Sequence, residues 1–237
     1  NDGMTEKSAK ESCEKVWKII EDSSRYGFNA SHSYSYAYDS LMSAYYKAHY
    51  PLEFYDVLLQ EYTKKGNKNK VALLKVEMQE GFDIGLNPIK FGYDNRNFSI
   101  DYENRKMNQS IVSWKTFSAT SAKELYKLGK GSYDSFFDVW SAFKDSSIGD
   151  TMFNALIRMN YFEDYGKTQK LLDLTDIYEK FGNAKQLKKE NLSTKEYQVV
   201  EKYATATEKM FKELENEAII EELSSDVENK EMPLSKK

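Results

Sequence analysis

The sequence predicts a mainly α-helical fold, a helical bundle carrying a small β element, and three observations lead there. Only 3 of its 237 residues are proline and 11 are glycine, so few positions force a helix to break. Apolar residues recur at helical spacing through most of the chain. Apolar residues alternate with others, as in half-buried strands, in residues 82–102.

The elements follow in order. Residues 6–24 place Ala9, Cys13, Val16 and Ile19/Ile20 at helical spacing among lysines and glutamates, which predicts an amphipathic helix ending near Ser23-Ser24. A second helix is expected over 35–48 and a third from Pro51, because proline suits a first helical turn and disfavours helix in the residue before it. Residues 64–70 read as a turn. Val71, Leu73, Leu74, Val76 and Met78 mark a further helix that Gly81 can cap in the left-handed conformation. Two strands are expected at Phe82-Asp83-Ile84-Gly85-Leu86 and Phe98-Ser99-Ile100-Asp101-Tyr102. Helical signals resume at 119–128, 133–143, 151–160 and 168–181, a compact bundle of short helices. Ser193-Thr194-Lys195-Glu196 has capping-box spacing and opens what reads as one long helix, with Val200, Tyr203, Met210, Phe211, Leu214 and Ala218 on one side. The charged stretch 224–237 is expected to fray or stay disordered.

Composition narrows the function. A net charge of −4 is the wrong sign for a free-standing duplex binder, so any DNA contact must be local. The 18 tyrosines, 13 phenylalanines and 3 tryptophans can fill a core or stack on bases, core packing being the commoner use. Cys13 is alone, and with only His32 and His49 beside it there is no zinc-ligand spacing. No run approaches the ~18 apolar residues of a membrane span. The start, Asn1-Asp2-Gly3-Met4, has no apolar signal core, so a cytoplasmic protein with no membrane partner is expected.

One stretch carries more information than composition does. Phe28-Asn29-Ala30-Ser31-His32-Ser33-Tyr34-Ser35-Tyr36-Ala37 runs into Ala44-Tyr45-Tyr46-Lys47-Ala48-His49-Tyr50-Pro51-Leu52-Glu53-Phe54. It resembles, without a gap, the end of the fingers in C-family replicative DNA polymerases, the alpha subunit of bacterial DNA polymerase III. The family pattern there is Phe-Asn-Lys-Ser-His-Ser, Ala-Tyr-Ala, then Leu-Lys-Ala-His-Tyr-Pro-x-Glu-Phe, and Ala30 stands where the family has lysine. The resemblance continues more weakly through Lys70-Val71, Gly81-Phe82-Asp83-Ile84, Asn87-Pro88-Ile89 and Phe98-Ser99-Ile100-Asp101. At Trp114-Lys115-Thr116-Phe117-Ser118-Ala119 it meets the family's helix-hairpin-helix turn, Ile-Lys-Gly-Val-Gly-Glu, with both glycines replaced. Phe153-Asn154-Ala155-Leu156-Ile157-Arg158 to Gly166 is similar to Leu-Glu-Ala-Leu-Ile-Lys-Ala-Gly-Ala-Phe-Asp-Ser-Leu-Gly, so the match covers roughly residues 10–180.

The resemblance implies a division into an end-of-fingers segment (1–63), a β element with a degenerate helix-hairpin-helix region (64–182), and the tail (183–237). It implies that Asn29, Ser31, His32 and Tyr36 line the incoming-nucleotide side of the fingers, where a polar loop and a helix start suit phosphate. The plainer reading is that Asn29 and Ser31 cap the helix. Lys47 is expected near template or primer backbone, although Tyr50-Pro51 also reads as a structural corner. Lys115, Ser118, Thr120, Lys123 and Lys127 surround the hairpin and form the candidate DNA-backbone patch, with a solvated helix face as the alternative. Gln169-Lys170-Leu171-Leu172 and Gln186-Leu187 are faint candidates for a sliding-clamp peptide. The family's palm aspartates, which hold magnesium, precede this region, so no catalytic residue, metal ligand or cofactor is expected here. Pairs such as Asp173/Asp176 read as surface charges. The expectation is a fragment or relative of the polymerase subunit that contacts primer-template backbone in DNA replication without sequence preference and does no nucleotidyl transfer of its own. The rest of the polymerase and a sliding clamp are further expected partners. The alternative is a non-enzymatic helical module that keeps the fold and binds protein. A third, a nucleotide-transfer enzyme with an unrecognised site, would show itself by primer extension.

Overall fold

Apolar spacing and polar caps give ten α-helices, which with two small three-stranded sheets make the fold mainly α. The structure is a computed structural model that describes residues 5–24 and 30–233, and these counts refer to them. The chain divides into two units, residues 1–54 and 55–237.

In the first unit, α1 (Glu6–Ser24) and α2 (Ala30–His49) are followed by the start of α3 (Pro51–Lys64). The corner at Tyr50-Pro51 is where the sequence puts it. Helix α2 starts earlier than its apolar spacing implied, because serine and tyrosine from 31 to 38 tolerate a helix without marking one side of it. No residue of α1 or α2 is buried.

The second unit takes up the remainder of α3, which buries Tyr55 and Leu59, and then α4 (Lys68–Phe82). Asn67 caps α4 by accepting from the Lys70 N–H at 3.1 Å. The stop differs from expectation. Helix α4 runs past Gly81, and Asp83 takes the left-handed position with φ of 51°, while the Ile84 N–H returns to the Met78 carbonyl at 3.2 Å. A short polar side chain is among the few that tolerate that conformation, so the glycine was not needed.

The first sheet contains β1 (Gly85–Leu86), β2 (Ser99–Asp101) and β3 (Lys106–Asn108) in the order β1-β3-β2. Ile100 faces Met107 in the antiparallel pair, and Leu86 faces Met107 in the parallel one. Buried Asn95 pins the intervening loop by accepting from the Lys90 N–H and donating to the Gln109 carbonyl, both at 3.2 Å. A 3-10 turn (Ile111–Ser113) leads to α5 (Ala119–Leu128), α6 (Phe136–Lys144), α7 (Asp150–Arg158) and α8 (Thr168–Phe181). These four close to the expected positions around an aromatic core. Phe136, Phe143, Phe153 and Phe162 lie with ring centroids 5.0–6.0 Å apart, within the range where edge-to-face and offset contacts add to burial.

The tail departs from the single long helix expected from 193 onward. Here β4 (Gln186–Lys188), α9 (Thr194–Lys202), β5 (Thr205–Ala206), β6 (Met210–Lys212) and α10 (Asn216–Ser225) follow one another. The second sheet is ordered β4-β6-β5, with Leu187 and Ala206 both opposite buried Phe211. Thr207 makes the turn, its N–H and hydroxyl both donating to the Met210 carbonyl at 2.8 Å. The capping box at Ser193 and Glu196 is as expected. Residues 226–233, expected to fray, are tied down: Asn229 accepts from the Lys167 N–H at 2.9 Å, the Lys230 carbonyl accepts from the Gln169 N–H at 3.2 Å, and Met232 is buried.

Candidate nucleic-acid interface

Five of the candidate DNA-backbone residues come together at one place. Lys115 lies in the turn of residues 114–118, Ser118 is the N-cap of α5, and Thr120, Lys123 and Lys127 follow at spacings of three and four that put them on one side of that helix. All five are exposed. Phe117 is buried and anchors the turn from beneath.

Local bonding decides what these groups can offer. The Ser118 hydroxyl accepts from the Ser121 N–H at 3.2 Å, while the Ser121 hydroxyl accepts from the Ser118 N–H at 2.8 Å and donates to the Ser118 carbonyl at 2.9 Å. This reciprocal cap fixes the helix start and engages Ser118 as an acceptor. Its own hydroxyl hydrogen can go to the Ser121 hydroxyl oxygen at 3.3 Å, since the Ser121 hydrogen goes to the Ser118 carbonyl. The first N–H groups of any α-helix lack intrahelical acceptors and carry its positive end, so the start of α5 faces outward with the polarity that phosphate requires. No residue of 114–118 has a positive φ, so the left-handed step that glycine would permit is not made.

Two lysines of α4 brace the turn. Lys68 Nζ donates to the Trp114 carbonyl. Lys75 Nζ donates to Gln109 Oε1 at 2.8 Å and Ser113 Oγ at 3.3 Å, and burial pushes its ammonium down to about 8. The first of these contacts joins the α3–α4 corner, with Lys64, Lys65, Lys68 and Lys70, to the turn that bears Lys115. Those four lysines were not among the expected site residues. The signal was present as Lys-Lys-x-x-Lys-x-Lys around Gly66, but a charge run by itself reads as a solvated loop.

The remaining candidates fall in the 1–54 unit. Asn29 lies outside the described residues. Ser31, His32 and Tyr36 occupy the first two turns of α2, with His32 and Tyr36 stacked at 6.3 Å and the Ser31 carbonyl accepting from the Ser35 hydroxyl at 2.9 Å. Lys47 is partly buried near the end of α2, two residues from each member of the ring pair of Tyr45 and His49, whose centroids are 4.3 Å apart. The clamp-peptide candidates are engaged in the fold: Gln169 donates to Asp173 at 2.6 Å, Leu171 is core, and Gln186-Leu187 lies in β4. The carboxyl of Asp176 is shifted up, by burial first and by Asp173 and Glu179 second. Among the described residues, no three His, Cys, Asp or Glu side chains gather as a metal site, and no helix is long and apolar enough to cross a membrane.

No family model matches the chain. The proteins that this helical chain is similar to are DNA polymerase subunits. They are named DNA polymerase III subunit alpha. The one from Ureaplasma parvum serovar 3 is 29% identical over 171 residues, 71% of this chain and 17% of that protein. That of Aquifex aeolicus is 31% identical over 164 residues, 68% of this chain and 14% of that protein. That of Bacillus subtilis is 27% identical over 159 residues, 67% of this chain and 14% of that protein. The chain therefore spans less than a fifth of the length of these relatives.

Proposed function

We propose that the chain is a fragment or relative of the DNA polymerase III alpha subunit that contributes to DNA replication by contacting primer-template backbone, and that it has no catalytic residue of its own. The 114–118 turn and α5 carry this reading: exposed Lys115 precedes the capped helix start, and exposed Lys123 and Lys127 follow along one side of the helix to its last turn, in a chain similar to part of a polymerase. The contact is electrostatic and independent of sequence. Magnesium and the aspartates that hold it belong to a palm that precedes the matched region. Ser31, His32 and Tyr36 are assigned to the nucleotide side of the fingers on the resemblance of their motif, and act only where that palm is supplied.

Fluorescence anisotropy of a labelled primer-template duplex over a salt series tests the reading. Log affinity should fall linearly with log salt, with a slope of about −0.9 for each phosphate neutralised. Lys123→Gln with Lys127→Gln should reduce that slope by roughly 2. Absence of binding at low salt would overturn it.

One observation favours a second reading, a protein-binding module: α1 and α2 bury nothing and expose Val16, Trp17, Ile19, Ile20 and Leu41. Exposed apolar surface on that scale marks a surface that another protein covers.

A further inference from the structure

A groove of about 900 Å³ lies in the 55–237 unit where α6, the 182–185 turn and α10 meet. Its floor is apolar, made by half-buried Phe137, Leu214 and Ala218 and by buried Ile220. Its walls are fixed before anything enters. Asn216 ties α10 to the turn by donating to the Phe181 carbonyl at 2.7 Å and the Ala184 carbonyl at 3.0 Å. A Cβ at Gly182 would stand 2.9 Å from the Trp140 ring, so glycine is what lets the turn lie against α6. The volume is at the upper end of ligand clefts, and a preformed groove spares a partner the cost of ordering it.

The charges around the floor indicate what the groove accepts. Glu215, Glu217 and Glu221 line it and are exposed, against the one ammonium of Lys185. Neighbouring carboxylates are committed to the fold. Glu213 accepts from the Thr205 hydroxyl at 2.8 Å, Glu222 pairs with Lys202 and accepts from the Tyr203 hydroxyl, and Asp226 pairs with Lys195 at 2.9 Å. Among the described residues, no ion pair engages Glu215, Glu217 or Glu221. The helix does not account for all three. Glu215 stands at the N-cap of α10 without making a side-chain cap, and the helix dipole favours Glu217 in the first turn but not Glu221 one turn later. Glu217 and Glu221 are four residues apart, where like charges repel, and cations supplied from outside would relieve that repulsion. Among the described residues no three His, Cys, Asp or Glu side chains gather as a metal site, so these carboxylates suit several cations on one ligand and not a single ion. Nucleic acid has the wrong sign. Basic side chains for the rim, joined to apolar ones for the floor, are the chemistry of a polypeptide segment.

We propose that this groove docks a basic segment of a protein partner, with apolar side chains of the segment on the floor of Phe137, Leu214, Ala218 and Ile220 and its cations against Glu217 and Glu221. The inference goes beyond the backbone-contact reading and does not depend on it. The test uses the full chain and a short fluorescent peptide in which arginine and leucine alternate, followed by anisotropy in low-salt buffer. Binding should be saturable. Glu217→Gln with Glu221→Gln should weaken it roughly fivefold, the scale of two exposed ion pairs. Glu201→Gln with Glu208→Gln changes net charge equally at exposed carboxylates outside the groove and should leave the affinity at that of the parent. A peptide with alanine in place of leucine should bind more weakly, because it cannot cover the floor, and one with glutamate in place of arginine should not bind. Equal weakening by the two pairs of substitutions would reduce the effect to net charge and overturn the site. An alanine peptide that binds as tightly as the leucine peptide, parent affinity in Glu217→Gln with Glu221→Gln, or no saturable binding would overturn it as well.

Discussion

At Ser118 one side chain serves both the fold and the surface, and the two roles can be separated by substitution. Its oxygen caps α5 through the Ser121 N–H, so Ser118→Ala should cost about 1 kcal/mol in urea denaturation. Ser118→Asp restores the cap, since aspartate is as good an N-cap, and should recover nearly all of that stability. Aspartate also sets a negative charge where the proposed reading puts phosphate. Duplex affinity should therefore fall in Ser118→Asp despite intact stability, and equal affinity in the two variants would argue that this helix end does not face DNA. Lys75 offers a different residue-scale measurement. Burial lowers its folded pKa from 10.5 to about 8, so the fold disfavours its charged form. Between those two values the unfolded chain holds more protons than the folded one, and stability must rise with pH. Below about 8 the penalty is fully present. Lys75→Met should remove this rise, so the stability difference between parent and variant should change between pH 8 and 10.5 and stay flat below pH 7, as followed by denaturant midpoints across pH.

At the scale of elements, the sequence was readable wherever helix spacing and a cap coincided. α1, α3 and α5 through α8 combine an apolar stripe with proline, serine or glycine near their ends, and the structure keeps them close to where that pattern puts them. The tail was misread for a physical reason. Tyr203 and Met210 are seven residues apart, as two turns of helix would place them, so the stripe continues in register across a turn built by Thr207. Short strands carry too few residues for alternation to outweigh such a coincidence, and β3 was overlooked likewise. Long-range bonds then hold what local pattern does not specify. Asn216, at the first position of α10, donates from Nδ2 to the Phe181 carbonyl at 2.7 Å and the Ala184 carbonyl at 3.0 Å, completing the end of α8. Asn216→Ala leaves those partly buried carbonyls short of a donor and should cost about 1–3 kcal/mol. Thermal denaturation followed by far-UV circular dichroism checks this, and a change under 0.5 kcal/mol would mean that solvent already serves that helix end.

For the whole molecule, the candidate site was legible only in part because it is assembled from segments far apart in sequence. Lys115 through Lys127 could be found on one local stretch, whereas the α3–α4 corner meets the turn that bears Lys115 only through packing, where Lys68 donates to the Trp114 carbonyl. The units also differ in how they bury apolar groups. The core of the 55–237 unit is made of its own residues, from Phe136 and Phe153 to Phe211 and Leu223. In the 1–54 unit, Trp17 is 69% exposed and Leu41 66%. Groups so placed contribute little to folding, so Trp17→Glu with Leu41→Glu should leave the denaturation midpoint of the chain unchanged, within ~0.5 kcal/mol for each exposed substitution. They should instead lower the fluorescence of an added apolar dye and reduce concentration-dependent self-association in sedimentation velocity. A large loss of stability would show that these side chains are core, and would count against the protein-binding reading. Unchanged stability with diminished dye binding would identify them as surface that a longer polypeptide or a separate protein covers. That outcome leaves the backbone reading intact, since α5 and its lysines belong to the other unit.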